Sequence, residues 1–362
     1  MKVIISGGGT GGHIYPAIAI ADKIKKENPK AEILFIGTEK GLEADVVPKA
    51  GYKLETITVS YLKRKISIHN IKSAAMLMKG LFEARGIIKK FNPDIVIGTG
   101  GFVCGPVLFI ASKMGIRTLI HEQNVYPGLT NKILGKYVDR IAISFDEAKK
   151  YFKEKGKIFV SGNPIREDFL KVDLAKANLK YKKSDLPLIL IVGGSGGSLS
   201  INNAAIELIK NNKNSYQILL VTGKGHYNDV INRIGNKTSD LVSIKPYLDD
   251  MPLALKACDI IVCSAGAISI SEITALGKPS ILIPKAYTAE NHQEYNAKAL
   301  EAQGAAITIK EKDLNPKLLS EKVESLLTNK TKLKEMEIKS SNAAKVNALE
   351  IIYSEMTRLI KG

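Results

Sequence analysis

The sequence predicts an α/β protein of two doubly wound domains. Short β-branched runs alternate with helical stretches through both halves of the chain, and this alternation is typical of parallel sheets covered by helices on both faces. Three of the runs lead directly into glycine-rich loops. The length of 362 residues also exceeds what one hydrophobic core usually supports. We therefore expect one parallel sheet in each half of the chain.

In the first half, five apolar runs have the continuous, β-branched character of strands that are buried on both faces. These predicted strands cover residues 2–6, 32–37, 94–98, 117–120 and 140–144. The spacing of apolar residues between them predicts helices over residues 16–28 and 70–91.

The second half repeats this pattern, with predicted strands over residues 188–192, 217–222, 241–245, 260–263 and 280–284. The turn-forming sequence Ser-Gly-Asn-Pro at 161–164 predicts the junction between a first domain, 1–163, and a second domain, 164–340. Residues 330–362 are predicted to be helical without strands. We expect the last helix, about residues 341–362, to pack back on the first domain.

Composition excludes several classes of protein. Three scattered cysteines without a CxxC pair argue against a disulfide scaffold, and five histidines without ligand spacing predict no metal site. No apolar run reaches the roughly 18 residues of a membrane span, and the run at residues 3–5 is too short for a signal peptide. Aromatic content of 6% without tryptophan disfavours a nucleic-acid binding module, so we expect no nucleic-acid partner.

The net charge of +17 predicts an anionic partner such as a phosphorylated substrate or an anionic membrane. The charge is concentrated in residues 1–163, where 26 Lys and Arg stand against 14 Asp and Glu, a net charge of +12. The anionic partner is therefore expected on the first domain.

The three glycine-rich loops occupy residues 7–13, 98–106 and 193–198. Glycine lets a ligand approach the backbone, and the helix that follows presents free N–H groups to an anion. Any one loop is equally well explained as a tight strand-to-helix turn. Three loops divided between two domains predict a cleft that is lined from both sides, because parallel sheets bind ligands at the carboxyl ends of their strands.

Two other enzyme classes fit single loops. Gly7, Gly9 and Gly12 match the dinucleotide fingerprint, with Glu39 as the ribose acid of an oxidoreductase. Gly193, Ser195 and Gly197 match the G-x-S-x-G nucleophile elbow, with Ser195 as the nucleophile and His226 or His292 as the base of a hydrolase. The first alternative needs only one such domain, and the second leaves the loops of the first domain unused.

Polar clusters follow further strands. His-Glu-Gln-Asn at 121–124 is either a hydrogen-bonded loop or a site for sugar hydroxyls, because four polar side chains are costly to bury unpaired. Glu272, one turn into the helix after residues 260–263, is either a favourable partner of the helix dipole or a ligand of two ribose hydroxyls. The polar residues at 291–294 either begin a helix or contact the sugar.

Six motifs together resemble a known family. They are Gly-Gly-Thr-Gly-Gly-His at 8–13, His-Glu-Gln-Asn at 121–124, Gly-Asn-Pro-Ile-Arg at 162–166, Gly-Gly-Ser-Gly-Gly at 193–197, Ser-Ala-Gly-Ala-Ile-Ser-Ile-Ser-Glu at 264–272 and His-Gln-Glu-Tyr-Asn-Ala at 292–297. Their order and spacing, over nearly the whole chain, resemble the family 28 glycosyltransferases that convert lipid I to lipid II.

The resemblance implies the GT-B fold, in which two Rossmann-like domains face each other across a cleft. It implies a hexosyltransferase that moves N-acetylglucosamine from UDP-N-acetylglucosamine to the C4 hydroxyl of the MurNAc sugar of lipid I, with inversion. The product, lipid II, serves peptidoglycan synthesis and through it cell shape and division. Another UDP-sugar transferase of the same fold is the main alternative.

The resemblance also implies roles for individual residues. Ser195 and the N–H groups of Ala267, Ile268 and Ser269 would hold the diphosphate. Glu272 would hold the ribose, and the backbone near Leu248 would contact the uracil. The other donor-side residues would be Thr10, Gly11, Gly12, Asn124, Arg166, Gly196 and Gln293. The acceptor side would comprise His13, Tyr15, Gly100, Gly101 and Phe102, and His13, Asn124 and Glu272 would be catalytic.

Three positions depart from the pattern of the family. Ser264 stands where many members carry arginine, Phe102 replaces a frequent tyrosine, and Glu294 replaces a second amide. The first two remove a cationic contact and a hydroxyl. The third puts a sugar contact of Glu294 in doubt.

His13 suits the role of base, since an unperturbed imidazole has a pKa near 6.5. Glycine-loop amides and helix termini suit stabilisation of the leaving UDP without a metal, and no Asp-x-Asp motif demands a divalent ion. We therefore expect no cofactor and no strict metal requirement.

Residues 60–91 carry eight Lys and Arg against one Glu, mixed with apolar residues. This segment is either an ordinary amphipathic helix with a solvated basic face or a membrane contact. A lipid-linked acceptor favours the membrane contact, which we place at Leu62, Lys63, Arg64, Lys65, Ile66 and Ile68. The expected location is the cytoplasmic face of the bacterial cell membrane, with peripheral attachment. The expected partners are UDP-N-acetylglucosamine, lipid I, the anionic membrane surface and other cell-wall synthesis proteins.

Overall fold

The computed structural model describes residues 1–60, 68–194, 196–212, 214–235 and 239–362. The chain forms two compact units. The first comprises Met1–Ile165 and Val346–Gly362, and the second comprises Arg166–Lys345. The junction predicted after residue 163 is two residues from this division, and the chain returns to the first unit at Val346.

The first unit contains a seven-stranded parallel sheet in the order β3-β2-β1-β4-β5-β6-β7. Its strands are β1 (Lys2–Gly7), β2 (Glu32–Gly37), β3 (Lys53–Thr56), β4 (Ile95–Gly100), β5 (Arg117–Glu122), β6 (Arg140–Ile143) and β7 (Ile158–Val160). Its helices include α1 (Gly11–Glu27), α2 (Glu43–Lys49), α3 (Ile68–Phe91), α4 (Cys104–Lys113) and α5 (Leu129–Leu134).

Strand β1 shows why the apolar runs are continuous. Val3 and Ile5 point into a core that also contains residues of α1, whereas Ile4 points into a second core that contains residues of α4. Both faces of the sheet are therefore buried, and successive residues of a strand must both be apolar.

The second unit contains a six-stranded parallel sheet in the order β10-β9-β8-β11-β12-β13. Its strands are β8 (Leu188–Val192), β9 (Gln217–Val221), β10 (Val242–Lys245), β11 (Ile260–Cys263), β12 (Ser280–Leu282) and β13 (Ala306–Thr308). Its helices are α6 (Glu167–Leu170), α7 (Leu174–Tyr181), α8 (Leu199–Asn211), α9 (Tyr227–Ile234), α10 (Met251–Ala257), α11 (Ala267–Ala275), α12 (His292–Ala302), α13 (Pro316–Thr328) and α14 (Lys330–Ala343).

The last helix, α15 (Ala348–Lys361), packs on the first unit, next to α1. Ile352 and Met356 complete the core on the α1 face of the sheet. Ion pairs accompany this packing, with Arg140 Nη2 lying 2.9 Å from a carboxylate oxygen of Glu355.

Three observed strands were not predicted from the sequence: β3, β7 and β13. Each lies at the edge of its sheet, and none is buried along its whole length. Edge strands need no continuous apolar run, so the pattern that identified the central strands is missing.

The predicted start of the first helix at residue 16 is also wrong. Helix α1 begins at Gly11, so the last residues of the first glycine motif form its first turn. Pro16 lies inside the helix, in its second turn, where it removes one i→i−4 hydrogen bond from the ladder.

Each sheet has one point where the strand order reverses direction. In the first unit this switch point lies between β1 and β4, and in the second it lies between β8 and β11. Open α/β sheets bind ligands at such points. All three glycine loops begin at the carboxyl end of one of these four strands.

Candidate active site

The first two glycine loops pack directly on each other at the switch point of the first unit. The backbone N–H of Gly8 donates to the carbonyl of Gly100 over 3.2 Å. Gly101 has a φ of +87°, and a Cβ atom there would lie 2.4 Å from the carbonyl oxygen of Gly8. Glycine is required at this contact because any side chain would separate the loops.

His13 lies in the first turn of α1, against the second loop. Its side chain is half-buried, and its Nδ1 atom lies 3.0 Å from Oε1 of Gln123. A Cβ atom on Gly100, whose φ is +112°, would lie 2.6 Å from that same Nδ1 atom. Gly100 therefore makes room for the imidazole.

The other residues expected on the acceptor side surround the same two loops. Tyr15 is exposed and covers Gly11, whereas Phe102 is exposed and approaches Gly9. The structure thus brings together the five predicted acceptor-side residues. Thr10 and Gly12, predicted to contact the donor, are exposed at the start of α1.

Glu43 is a residue of this region that the sequence reasoning missed. Its carboxylate is 1% exposed and accepts hydrogen bonds from the N–H of Gly9 at 3.0 Å and the hydroxyl of Thr38 at 2.6 Å. A carboxylate at the first glycine loop would repel a pyrophosphate, and it already uses an amide that a dinucleotide would need. Glu39, the ribose acid of the dinucleotide hypothesis, is exposed in a turn.

The polar cluster at 121–124 divides into two parts. His121, Glu122 and Gln123 are at most 2% exposed and are hydrogen-bonded inside the unit. The first two end β5, which is longer than predicted. Burial lowers the pKa of His121 to about 4, so its imidazole is neutral near pH 7. These three side chains therefore bond to protein groups inside the unit and do not face solvent.

Asn124 is the member of the cluster that reaches the surface. It is half-buried, and the carboxylate of Glu122 accepts from its backbone N–H at 3.0 Å and its side-chain amide at 3.2 Å. The N–H of Gly128 and the amide of Asn131 also donate to Glu122. Glu122 thus orients Asn124, whose role in sugar binding stays a prediction.

In the second unit, the third glycine loop meets the start of α11. Gly194 has a φ of +88°, and a Cβ atom there would lie 3.3 Å from Oγ of Ser264. Ser264 itself is buried. Gly196 is exposed, and Ser195, the predicted phosphate ligand, lies outside the described residues.

The predicted diphosphate ligands Ala267, Ile268 and Ser269 form the first turn of α11. Gly266 occupies the N-cap position, and glycine has no side chain with which to cap the helix. Four N–H groups at a helix start have no partner within the helix, and a side-chain cap would compete for them with a ligand. This helix end is therefore suited to an anion.

Glu272 is half-buried on α11, one turn beyond that helix start. Burial raises the pKa of its carboxyl to about 7. The positive charge of Arg166 opposes this rise in pKa, and the negative charge of Asp168 reinforces it. Arg166 and Glu272 are far apart in the sequence, but their charges interact within the second unit.

Gln293 lies in the first turn of α12, and its Oε1 accepts from the N–H of Lys285 at 3.0 Å. Because Oε1 of Gln293 accepts this hydrogen bond, the NH₂ group of the same amide points away from the N–H of Lys285. Lys285 is a second residue that the sequence reasoning missed. Its Nζ donates to the carbonyl of Gly197 at 3.1 Å, which ties β12 to the third glycine loop. A lysine directly after a predicted strand was the available signal.

Glu294, for which the sequence left a sugar contact open, forms ion pairs with two lysines of its own unit. Its Oε1 lies 2.7 Å from Nζ of Lys298 and 2.9 Å from Nζ of Lys310. Both lysines lower the pKa of the carboxyl. Two lysines therefore hold the carboxylate of Glu294. This arrangement is consistent with the sequence analysis, which put a sugar contact of Glu294 in doubt.

Leu248 is 9% exposed, so only its backbone is suited to base recognition. It borders a cavity of about 390 Å³ that runs along β9 and β10, lined also by Gln217 and Ser243. None of the described residues of the third glycine loop lines this cavity. The cavity is therefore separate from the expected phosphate site.

Among the described residues, no group of three or more His, Cys, Asp or Glu side chains is arranged to hold a metal ion. None of the described helices combines the length and the apolar character that a membrane span requires. Of the predicted membrane residues, 62–66 lie outside the described part of the chain, as does the side chain of Ile68.

Two doubly wound parallel sheets, each with glycine-rich sequence at its switch point, form the GT-B fold. The chain belongs to glycosyltransferase family 28. Residues 3–143 match the N-terminal domain of this family, and residues 188–351 match its C-terminal domain.

Relatives match the whole chain. It is 60% identical over 364 residues to the UDP-N-acetylglucosamine--N-acetylmuramyl-(pentapeptide) pyrophosphoryl-undecaprenol N-acetylglucosamine transferase of Alkaliphilus oremlandii (strain OhILAs), with 100% of both chains covered. It is 50% identical to the protein of the same name from Clostridioides difficile (strain 630), covering 99% of this chain and 89% of that one. The crystal structure of MurG from Acinetobacter baumannii is 25% identical, with a TM-score of 0.82 and 99% of each chain covered.

These matches confirm the predicted family and fold class. The oxidoreductase and hydrolase alternatives are wrong, since family 28 comprises glycosyltransferases. For the oxidoreductase, the buried carboxylate of Glu43 at the first glycine loop supplies the physical reason.

Proposed function

We propose that this enzyme transfers N-acetylglucosamine from UDP-N-acetylglucosamine to the C4 hydroxyl of the MurNAc sugar of lipid I, giving lipid II. The observation that carries the proposal is the match to transferases of that name along the entire chain. The geometry adds support, because the glycine loops and the predicted diphosphate ligands at the start of α11 follow the strands that flank the two switch points. A different acceptor sugar would make the chain another UDP-sugar transferase of the same fold.

In the proposed reaction, the acceptor hydroxyl attacks the anomeric carbon of the donor sugar from the face opposite UDP. The C–O bond to UDP breaks as the new one forms, so the configuration inverts. His13 takes the proton of the hydroxyl. Its place in the first turn of α1, between two glycine loops at the switch point of the sheet, supports this role, because open parallel sheets bind ligands at such points.

The leaving diphosphate would be stabilised by the second unit. The start of α11, with glycine at its N-cap, would supply backbone N–H groups and the positive end of the helix dipole at Ala267, Ile268 and Ser269. Glu272 would accept hydrogen bonds from the two ribose hydroxyls. Arg166, Gly196 and the NH₂ group of Gln293 would complete the donor site, and Asn124 would contact the transferred sugar.

A thermal-shift panel of UDP, UDP-N-acetylglucosamine, NADH and NADPH tests the donor class. We expect the two uridine nucleotides to raise the melting temperature and the nicotinamide nucleotides to leave it unchanged. Transfer of labelled N-acetylglucosamine to lipid I, compared with the sugar-free carrier lipid and with free MurNAc-pentapeptide, tests the acceptor. Transfer to a different acceptor in preference to lipid I would favour another UDP-sugar transferase.

We also propose that turnover has no strict requirement for a divalent metal and uses no cofactor. Backbone N–H groups and a helix end can neutralise a leaving diphosphate without an ion. Activity is therefore expected to persist in excess EDTA. An activity that disappears in EDTA and returns with a single divalent ion would contradict this prediction.

We further propose that the enzyme attaches peripherally to the cytoplasmic face of the bacterial membrane through the segment 60–91. The described part of α3 supports this proposal. Gly80, Ala84 and Ile88 are buried, and Gly80 packs against Thr58 and Val59. The opposite face presents Met78, Phe82, Arg85 and Lys89 to solvent, with Phe82 71% exposed. Apolar and basic residues on one face suit an anionic lipid surface.

Two sets of variants separate the electrostatic component of membrane binding from the apolar component. Changing Lys63, Arg64 and Lys65 to Glu should release the protein from anionic liposomes, because each basic residue contributes about 1 kcal/mol at low salt. The double change Met78→Glu and Phe82→Glu should weaken the attachment that remains at high salt. Leu179→Glu is the matched control, since Leu179 is an 88% exposed leucine of the second unit.

UDP binding should survive in all of these variants, because the donor site is expected in the second unit. Co-sedimentation measures the outcome at low and high salt. If the triple variant and the double variant both bind liposomes as well as the wild-type protein does, this segment is not the membrane contact.

A further inference from the structure

Gln123 lies buried between two histidines at the end of β5. Its Oε1 atom is 3.0 Å from Nδ1 of His13, and its Nε2 atom is 3.0 Å from Nδ1 of His121. The same Nε2 atom donates to the carbonyl of Thr99 at 2.7 Å. The side chain is 2% exposed, so these protein groups determine its orientation.

The Thr99 carbonyl decides which way the amide points. A backbone carbonyl can only accept a hydrogen bond. If the amide were turned around, its Oε1 would face the oxygen of Thr99 at 2.7 Å, and two acceptors would repel each other. The NH₂ group therefore faces Thr99 and His121, and the oxygen faces His13.

His121 agrees with this assignment. Its Nε2 lies 3.0 Å from the carbonyl of Gly162 and so must carry a hydrogen. The imidazole is neutral because burial lowers its pKa to about 4. A neutral ring with hydrogen on Nε2 has its lone pair on Nδ1, which accepts from the amide of Gln123.

We infer that Gln123 is a positioning residue that holds His13 in the Nδ1–H tautomer and so places the lone pair of the neutral imidazole on Nε2. The amide oxygen can only accept, so Nδ1 of His13 must donate. Within the described part of the chain, Nε2 of His13 has no hydrogen-bond partner. The order of donors and acceptors thus runs from Gly162 through His121 and Gln123 to His13.

The consequence for catalysis rests on the proposed role of His13 as the base. A base needs a lone pair directed at the hydroxyl proton, and the hydrogen bond on the other ring nitrogen decides where that lone pair lies. The amide of Gln123 supplies this hydrogen bond without charge. Gln123 itself touches neither substrate nor the transferred proton.

Nitrogen NMR of the protein labelled with ¹⁵N-histidine measures the tautomer directly, because protonated and unprotonated ring nitrogens differ in chemical shift. The chain has five histidines, and His13→Ala identifies the signals of His13 by their loss. At a pH where the ring is neutral, the expected result is hydrogen on Nδ1 and a lone pair on Nε2. Hydrogen on Nε2 in the wild-type protein would overturn the inference.

Two substitutions of similar size test the part played by Gln123. Gln123→Met removes the acceptor, so the Nδ1–H preference should disappear and kcat should fall about ten- to hundredfold, less than the 10²–10⁴ expected when a general base is lost. Gln123→Glu keeps an acceptor oxygen toward His13, but its second oxygen can donate to the carbonyl of Thr99 only when the carboxyl is protonated. In that form the variant should retain the Nδ1–H tautomer and a higher kcat than Gln123→Met. A folded Gln123→Met protein with unchanged His13 signals would refute the positioning role.

Thr118→Val is the matched control. Thr118 is also buried on β5, at the other end of the strand, where its hydroxyl donates to Asp139 at 2.8 Å. This control should leave the His13 signals and kcat unchanged. The outcomes also separate the two hypotheses. Normal turnover of His13→Ala would remove the base role yet leave the tautomer assignment intact, whereas an Nε2–H signal contradicts only the role of Gln123.

Discussion

His13→Ala is expected to lower kcat by roughly 10²–10⁴, because the acceptor hydroxyl would lose the group that takes its proton. The affinity for UDP should hardly change, since the predicted diphosphate and ribose ligands lie on α11 in the second unit. Steady-state kinetics with lipid I and calorimetry with UDP provide the two measurements.

A second substitution distinguishes catalysis from packing. His13 lies against Gly100 and its Nδ1 contacts Gln123, so its removal could simply loosen the two loops. His13→Gln fills most of the same space and can donate a hydrogen bond, but it cannot act as a base. If His13 only supports the loops, His13→Gln should recover most of the turnover that His13→Ala loses. If it is the base, both variants should stay slow.

Glu272→Ala is expected to weaken UDP binding by about 1.5–3 kcal/mol, the scale of hydrogen bonds to a charged group. The reason is its position one turn beyond the start of α11, where two ribose hydroxyls could reach its carboxylate. Comparing UDP with 2′-deoxy-UDP sharpens the test by calorimetry. The wild-type enzyme should prefer UDP, and Glu272→Ala should lose that preference. An unchanged UDP affinity in the folded variant would remove the assignment.

The pKa of Glu272 adds a pH dependence to this binding. Because burial raises the pKa to about 7, the carboxyl of the ligand-free enzyme is largely neutral at pH 6 and largely ionised at pH 8. Ribose hydroxyls bind the ionised form better, so affinity for UDP-N-acetylglucosamine should increase as the pH rises through 7. Glu272→Gln removes the ionisable group, and its affinity should be flat over this range. This ligand suits the test because its diphosphate has no terminal phosphate that titrates there.

The sequence was informative wherever one local pattern had one physical cause. Central strands such as β1 and β8 need apolar residues on both faces, and the resulting runs identified them without any tertiary information. The glycine motifs and the polar residues after the strands located Glu272 and Gln293 for the same reason, because a parallel sheet puts the carboxyl ends of its strands at one edge. Edge strands such as β3 share a pattern with loops and so were missed.

Only the tertiary structure decided the roles of residues whose partners are distant in sequence. No sequence motif singles out Glu43, yet its carboxylate accepts a hydrogen bond from an amide of the first glycine loop, 34 residues away. Similarly, Gln123 stood in a motif of four polar residues, and the sequence offered no way to separate it from Asn124. The structure separates them because hydrogen bonds have direction: Gln123 is held between Thr99 and His13, whereas Asn124 reaches the surface.

The sequence by itself therefore determined the fold class, the family and the strand ends where ligands are expected. These properties follow from periodicity and from motifs that are local in the chain. Only the tertiary structure decided three other properties. These are the tautomer of His13, the use of a first-loop amide by the carboxylate of Glu43, and the raised pKa of Glu272. They depend on which groups are buried together and on which atom of each group faces its neighbour, and neither is encoded in any one stretch of sequence.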